Sequence, residues 1–459
     1  VRVNKLFCAL LAICVFLFWA IQLGCLRGSE DTNREDDDIS GDDTDDDVDD
    51  DTDDDTDDDV DDDADDDSDD DTDDDADDDT CEASIELIDG DSSYPASGHT
   101  SLAIDADDAL HVGYQKVINL SECSFANFWY ATNKNGSWEK NLVEDGYCYY
   151  EHVSSDYYEK YENIGDSNDI VLDGSDSPWL SYNLNYFEHV YYADDITNYY
   201  TLEGFLKYTP IPAQIQILDS DTWSCDECSL SSYANYTGSA NSMVLDDNGV
   251  AHIAYNKWKN EGWNYLAYTV AGTSAKDVSY LDICSGLIDD VSIAIDSNSN
   301  LHIIYLCGAS LKYTTDASGS WESATVAPVH GAVYLSLAVD SGDSLHISYS
   351  SNDSLMYATN ASGTWVITTV DADEDVGYYN SLVLDADNRA HISYYDEANG
   401  DLKYATNESG DWHICTIDSQ GDVGKNTSIA LDSAGMVHIV YTGENGLWHA
   451  AFSQGGPVD

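Results

Sequence analysis

The sequence predicts an all-β protein, a seven-bladed β-propeller of four-stranded antiparallel blades closed by an N-terminal strand and preceded by a disordered acidic linker. Three observations predict it. First, one unit recurs, with a His six positions after an Asp: LAIDADDALHVGY from Leu102, MVLDDNGVAHIAY from Met243, IAIDSNSNLHIIY from Ile293, LAVDSGDSLHISY from Leu337, LVLDADNRAHISY from Leu382 and IALDSAGMVHIVY from Ile429. Second, IVLDGSDSPWLSY from Ile170 keeps that spacing but places Trp179 where the others have His, which makes seven units in all. Third, the last unit stops at LWHAAFSQGGPVD without a fourth strand, while an unassigned strand, ASIELIDGD, precedes the first.

Within a unit the strands follow from alternation and turn chemistry. An apolar run such as NSLVLD ends in an Asp/Asn/Gly turn, and HISYY opens a second alternating run. Pieces such as LKYATN supply a third strand, and a Trp after an Asn/Asp-x-Ser/Asn-Gly turn opens the fourth, as in WVITTVD. Four short strands per repeat are the mark of a propeller blade. Residues 83–89 then pair with the last blade, because an unpaired edge there would invite aggregation. The turns TTDASGSW, ATNASGTW and ATNKNGSW resemble the Asp-box turn of sialidase-like bacterial repeats, with one residue more between the Asp/Asn and the Gly. The resemblance covers residues 81–459 and implies the propeller fold. Propellers host hydrolases, lyases, lectins and scaffolds, so function is argued from the site.

Residues 1–25 read as a secretory signal: Arg2 and Lys5, an apolar run from Leu6 to Gly24, then Cys25. The ending Leu23-Gly24-Cys25 resembles a bacterial lipoprotein cleavage site, which implies lipidation at Cys25 and a bacterial outer-membrane or cell-surface location. It departs from that pattern at Gln22, and the alternative is an uncleaved signal anchor, since the apolar run is long enough to span a bilayer. Either way the basic end stays inside and the rest lies outside, so the membrane is contacted through the N-terminus only. Residues 26–80 are an Asp-rich linker whose triplets repel one another and bury nothing. It lacks the Gly and terminal Glu of a calcium loop, so a solvated spacer is expected rather than a metal site.

Residues 81–459 form the propeller. They hold 12 Lys and Arg against 56 Asp and Glu, a net charge of −44, which argues against nucleic acid and anionic lipid as partners. Arg389 is the only Arg beyond residue 34, which excludes the arginine cluster of a sialidase and the Arg pockets of fucose lectins. No phosphate loop, serine elbow or zinc helix occurs, so no cofactor or metal is expected. Eight cysteines beyond the signal fit disulfides in an oxidising compartment: Cys123, Cys148, Cys225, Cys228, Cys284 and Cys307 in loops, with Cys81 and Cys415 on outermost strands that would staple the closure.

A side chain repeated in nearly every blade answers a need of every blade, so the repeated His and Trp138, Trp321, Trp365 and Trp412 are assigned to packing. Function is expected where the repeat is interrupted. The insertions 115–127, 145–167, 183–205, 220–238 and 256–264 crowd one face and read as long loops, the usual place for a binding site. Twelve of the 33 tyrosines lie between Tyr147 and Tyr200. The candidate binding residues are Tyr149, Tyr150, Tyr157, Tyr158, Tyr191, Tyr192, Tyr199 and Tyr200, since tyrosine gives broad, stiff contact area. The expected protein is a monomer that binds a glycan or another surface protein. The alternatives are a polysaccharide hydrolase or lyase on the same face, or an architectural module.

Overall fold

The computed structural model describes residues 80–90, 96–120, 123–153, 156–192, 197–211, 216–226, 237–259, 263–271, 278–331 and 334–453; for 151–153, 156–157, 188–192, 197–205, 218–219, 221–226 and 259 it describes the backbone alone. The expectations for the signal, Cys25, the linker before Thr80 and Cys228 lie outside the described residues.

Among the described residues every regular element is a strand, and the strands form seven sheets. The first blade is β2 (Ala96–Ile104), β3 (Leu110–Asn119), β4 (Ser124–Thr132) and β5 (Glu139–Glu144). The second is β6 (Cys148–Val153), β7 (Asp156–Leu172), β8 (Pro178–Tyr192), β9 (Thr197–Pro210) and β10 (Gln216–Asp226). Blades three to six are β11 (Asn241–Leu245) to β14 (Ser279–Cys284), β15 (Val291–Ile295) to β18 (Glu322–Pro328), β19 (Leu335–Val339) to β22 (Val366–Asp371), and β23 (Val376–Leu384) to β26 (His413–Asp418). The seventh combines β27 (Val423–Leu431), β28 (Met436–Gly443) and β29 (Gly446–Ser453) with β1 (Ser84–Asp89). The chain is a seven-bladed propeller.

Closure is as the sequence implies. β1 pairs antiparallel with β29 from Ser84↔Ala451 to Asp89↔Leu447. Gly446 permits the crossing, because a Cβ there would lie 2.0 Å from the Asp89 carbonyl oxygen. A disulfide joins Cys81 to Cys415 on β26 across 334 residues of sequence, and Cys123–Cys148 and Cys284–Cys307 are also formed. These disulfides fit an exported protein.

Two expectations change. The second blade carries a fifth strand, β6, along the upper part of β7. The insertions 115–127, 145–167, 183–205 and 256–264 are hairpin extensions rather than loops: β7–β8 pair out to Tyr157↔Tyr191, β8–β9 to Tyr192↔Thr197, β3–β4 to Asn119↔Ser124 and β12 (Ala251–Lys259)–β13 (Trp263–Val270) to Lys259↔Trp263, while most of 220–238 lies outside the described residues. Tyrosine, valine and phenylalanine are strong strand formers, and paired strands satisfy the backbone groups that a long loop leaves open.

The hydrophobic core lies between blades rather than within them; one cluster joins Leu402, Tyr404 and Ile417 of the sixth blade to Ile429, Ile439 and Tyr441 of the seventh. Among the described residues five junctions are pinned by a polar latch. A second-strand tyrosine donates to an acid on the outermost strand of the preceding blade: Tyr114 to Asp89 (2.9 Å), Tyr182 to Glu144 (2.9 Å), Tyr305 to Asp282 (2.6 Å), Tyr394 to Asp371 (2.7 Å) and Tyr441 to Asp418 (2.7 Å). Lys116, Lys207, Lys312 and Lys403 neutralise four of these acids. In blade four the register position of the acid, opposite Leu311, is taken by Ala327, so no acid stands there for Tyr349 of blade five.

Tyr394→Phe removes a donor from Asp371, which is only 4% exposed, and is expected to lower unfolding stability by about 1–3 kcal/mol. Tyr349→Phe should cost well under 1 kcal/mol by the same reasoning. Paired urea titrations check this, and equal losses would contradict the latch.

Candidate functional site

The Asp, His and third-strand Tyr of the repeat form one arrangement on the face of the first-to-second and third-to-fourth strand turns. The His Nδ1 meets the Tyr hydroxyl at 2.5 Å in His111–Tyr130, 2.6 Å in His252–Tyr268, 2.8 Å in His302–Tyr313 and 2.5 Å in His391–Tyr404, and His346 meets Tyr357 likewise. Nε2 faces the Asp at 3.3 Å from Asp105, 3.2 Å from Asp296 and 3.2 Å from Asp340. The same Asp caps its turn, as Asp340 does for the Gly342 and Ser344 amides. Burial holds His111 and His391 below the ordinary histidine value. The tryptophans pack across blade boundaries, Trp321 on Tyr268 and Trp412 on Tyr357 with ring centroids 5.3 and 5.0 Å apart. These residues are scaffold. Among the described residues no three His, Cys, Asp or Glu converge to hold a metal ion.

The tyrosine block lies on the extended strands of blade two. Tyr149 is exposed and meets Tyr158 edge-on at 5.7 Å; Tyr150 and Tyr158 are half-buried. Tyr157 pairs with Tyr191, Val190 with Tyr199, His189 with Tyr200 and Tyr192 with Thr197 through the backbone. The disulfide Cys123–Cys148 ties β6 to the blade-one hairpin. None of the eight tyrosines is among the described residues that line the central cavity.

That cavity has a volume of about 140 Å³ and is bounded by the first strands of all seven blades. Each first strand turns an unpaired edge to the channel, and side chains satisfy it across the blade boundary. Asn168 Nδ2 donates to the His99 carbonyl (2.6 Å), Asn241 to Ser167 (3.2 Å), Asn380 to Tyr334 (2.9 Å) and Thr427 Oγ1 to Tyr379 (2.8 Å), while Thr100 reaches Asn426. One residue further on, the hydroxyl oxygens of Ser242, Ser336, Ser381 and Ser428 accept the amides of Ile293, Leu382, Ile429 and Leu102 at 3.1–3.3 Å. At this serine position blade two carries Asp169, which accepts the Met243 amide at 2.8 Å.

The ring is interrupted around blade four. Val291 and Leu335 stand where the other blades have Asn or Thr, and they have no polar group to donate. Asp290 bridges the gap, accepting the Leu335 amide (2.9 Å) and the Val291 amide (2.8 Å). At the mouth beside it, Tyr334 and Tyr379 meet with ring centroids 4.4 Å apart, and His99 and Asn426 complete the rim. Tyr379 and Asn426 hold φ of 52° and 53°, a left-handed conformation that costs a bulky residue roughly 1–3 kcal/mol. Asp169 and Asp290 are enclosed by protein yet reached from the channel. Burial pushes each carboxyl up to about 6 against the bonds from backbone amides, and for Asp290 also against the nearby His99. Among the described residues that line the cavity there is no Lys or Arg. Asp169, Asp290, Tyr334, Tyr379 and His99 were not among the candidate residues expected from sequence. One signal was available, since the residue before each apolar-x-apolar-Asp run is Ser in six units and Asp169 in the other.

No protein-family model matches the chain, and no curated protein does. Solved structures with similar folds include the NanB sialidase from Streptococcus pneumoniae (11% identity, 81% of this chain and 70% of that chain, TM-score 0.42). An α-L-arabinanase from Penicillium chrysogenum (9%, 81% and 98%, 0.41) and a polysaccharide lyase described as an ulvan lyase (11%, 80% and 96%, 0.44) are similar to the same extent. Likenesses this distant carry no statement about what this chain binds or does.

The raised carboxyls predict a pH effect. As pH rises from about 4 to about 6 the unfolded chain releases these protons before the folded one, so the two groups lower stability across that window. Asp290→Asn removes one of them. Its stability relative to the parent protein should improve steadily from pH 4 to pH 7 in parallel denaturant titrations. A difference that does not vary with pH would contradict the buried-carboxylate account.

Proposed function

We propose that the propeller binds a glycan at the mouth of its central channel, between blades four and seven. The observation that carries this is the lining: hydroxyls, amides and two carboxyls, with the rings of Tyr334 and Tyr379 at the rim. Sugar hydroxyls bond to such groups, and the C–H face of a sugar packs on a tyrosine ring. The volume of about 140 Å³ is close to that of an engineered cavity of ~150 Å³ that accepts benzene, so one six-membered ring is of the right size. Two enclosed carboxyls without a lining cation disfavour uronic or sulfated sugars and favour neutral or amino sugars. In this reading the site faces the surroundings of the cell, with Cys25 as the lipid anchor.

A second reading follows from Asp290 itself. A carboxyl titrating at about 6 in a polar pocket, with His99 nearby, is suited to proton transfer, so a hydrolase or lyase working at the same mouth is the alternative. Neither reading needs the hairpin tyrosines of blade two.

The test is an oligosaccharide screen followed by variants of the mouth. Tyr379→Asn removes the ring while keeping a residue that tolerates positive φ. It should weaken binding at least tenfold, about 1.4 kcal/mol, with little change in melting temperature. Tyr149→Ala should leave affinity unchanged. If Tyr149→Ala abolishes binding and Tyr379→Asn does not, the site lies on the blade-two hairpins. Product formation from a bound oligosaccharide, lost in Asp290→Asn, would establish the enzyme.

A further inference from the structure

The last blade breaks the histidine pattern in a way no other blade does. Its third strand carries His449 where the tyrosine stands, so His438 faces a second imidazole. The two ring planes are parallel within 2°, and His438 Nδ1 lies 3.0 Å from His449 Nε2. The outer nitrogens each face a carboxylate: His438 Nε2 is 3.4 Å from Asp432, and His449 Nδ1 is 3.0 Å from Glu86. Glu86 belongs to β1, the strand that closes the ring, and is the register partner of His449. Its Oε1 also accepts the Trp138 indole N–H at 3.0 Å. Asp432 and Glu86 are the charged groups paired with these rings among the described residues.

A proton count follows. Two outer nitrogens facing carboxylates must each carry a hydrogen. Two inner nitrogens 3.0 Å apart must hold one hydrogen between them. That makes three hydrogens on two rings, one imidazolium equivalent between two carboxylates. A fourth would set N–H against N–H; loss of one would set lone pair against lone pair or carboxylate. Burial works to raise the Glu86 carboxyl, but bonds from Trp138 and His449 outweigh it and leave it below the ordinary value, so Glu86 does not supply a hydrogen.

We propose that this array is a one-proton clasp on the closing strand, which acidification opens. The clasp acts between two fixed points. Cys81–Cys415 tethers β1 covalently before its first residue, and Asp89 at its end is held by Tyr114, Lys116 and Lys140. Opening therefore frees the middle of β1 without losing the strand and uncovers the edge of β29, a surface that pairs readily with another strand. The direction follows from linkage. Burial, helped by the neighbouring His438, holds His449 below the ordinary histidine value against the pull of Glu86. As pH falls below about 6.5 the open state takes up a proton that the closed state refuses, so acid favours opening.

The experiment is hydrogen exchange on the whole chain as a function of pH, corrected for intrinsic rates. Protection of Ile85–Leu87 should fall about tenfold or more between roughly pH 7 and pH 5, while β22, an outermost strand whose blade keeps a His346–Tyr357 pair, should change far less. His449→Tyr restores the pairing of the other blades and should flatten the response. Should that variant fail to fold, Glu86→Gln, at a half-exposed position, removes the charge that favours the proton in the closed array and should move the opening to higher pH. A β1 response no larger than that of β22, or one unaltered in the variant measured, overturns the clasp.

Discussion

The inner edge of every blade is a strand with no sheet neighbour, and the rest of the structure depends on how that edge is satisfied. Buried backbone groups must find partners, and around this channel they find them in the next blade. Asn168, Asn241, Asn380, Thr427 and Thr100 donate to carbonyls one blade back, and the serine column accepts amides from one blade forward. These bonds set the spacing of the blades before any loop is considered. They also leave a short polar channel as the one place where all seven blades meet. The outer latches between tyrosine and acid repeat the same solution at larger radius, with lysine neutralising the acid.

Where the inner ring is incomplete, groups become available for something else. Val291 and Leu335 cannot donate, and Asp290 bridges them with a carboxylate that burial makes costly. Beside it Tyr379 keeps a backbone conformation that a tyrosine does not favour. Asp169 places a second such carboxyl on blade two, but only beside Asp290 does the buried acid lie next to a strained tyrosine, and that combination distinguishes this sector. The His438–His449 pair follows the same logic on the closing blade. There one substitution within the repeat turns a neutral histidine–tyrosine contact into a proton-dependent one.

The architecture was legible because it repeats. The fixed Asp-to-His offset located seven blades, Trp179 included, and the missing last strand located β1. Cys81 and Cys415 on outermost strands gave the staple. The blade-two hairpins were misread as loops because they interrupt the period, although their tyrosine-rich alternation is that of strands. The channel was illegible for a different reason. Its lining comes from one or two residues per blade, hundreds of positions apart, and only ring closure brings His99, Asp290 and Tyr379 to one rim. Neither Asp290 nor Tyr334 stands out locally in a chain with 91 acids and 33 tyrosines.

The repeat builds the scaffold, and we propose that the interrupted sector of the channel mouth binds the ligand. This proposal is tested most directly by a crystal structure of the propeller with an oligosaccharide found by screening. The account predicts a sugar ring seated against Tyr334 and Tyr379, with its polar groups on Asp290 and Asn426. A ligand bound on the blade-two hairpins, or one copy per blade beside the histidine–tyrosine pairs, would contradict it.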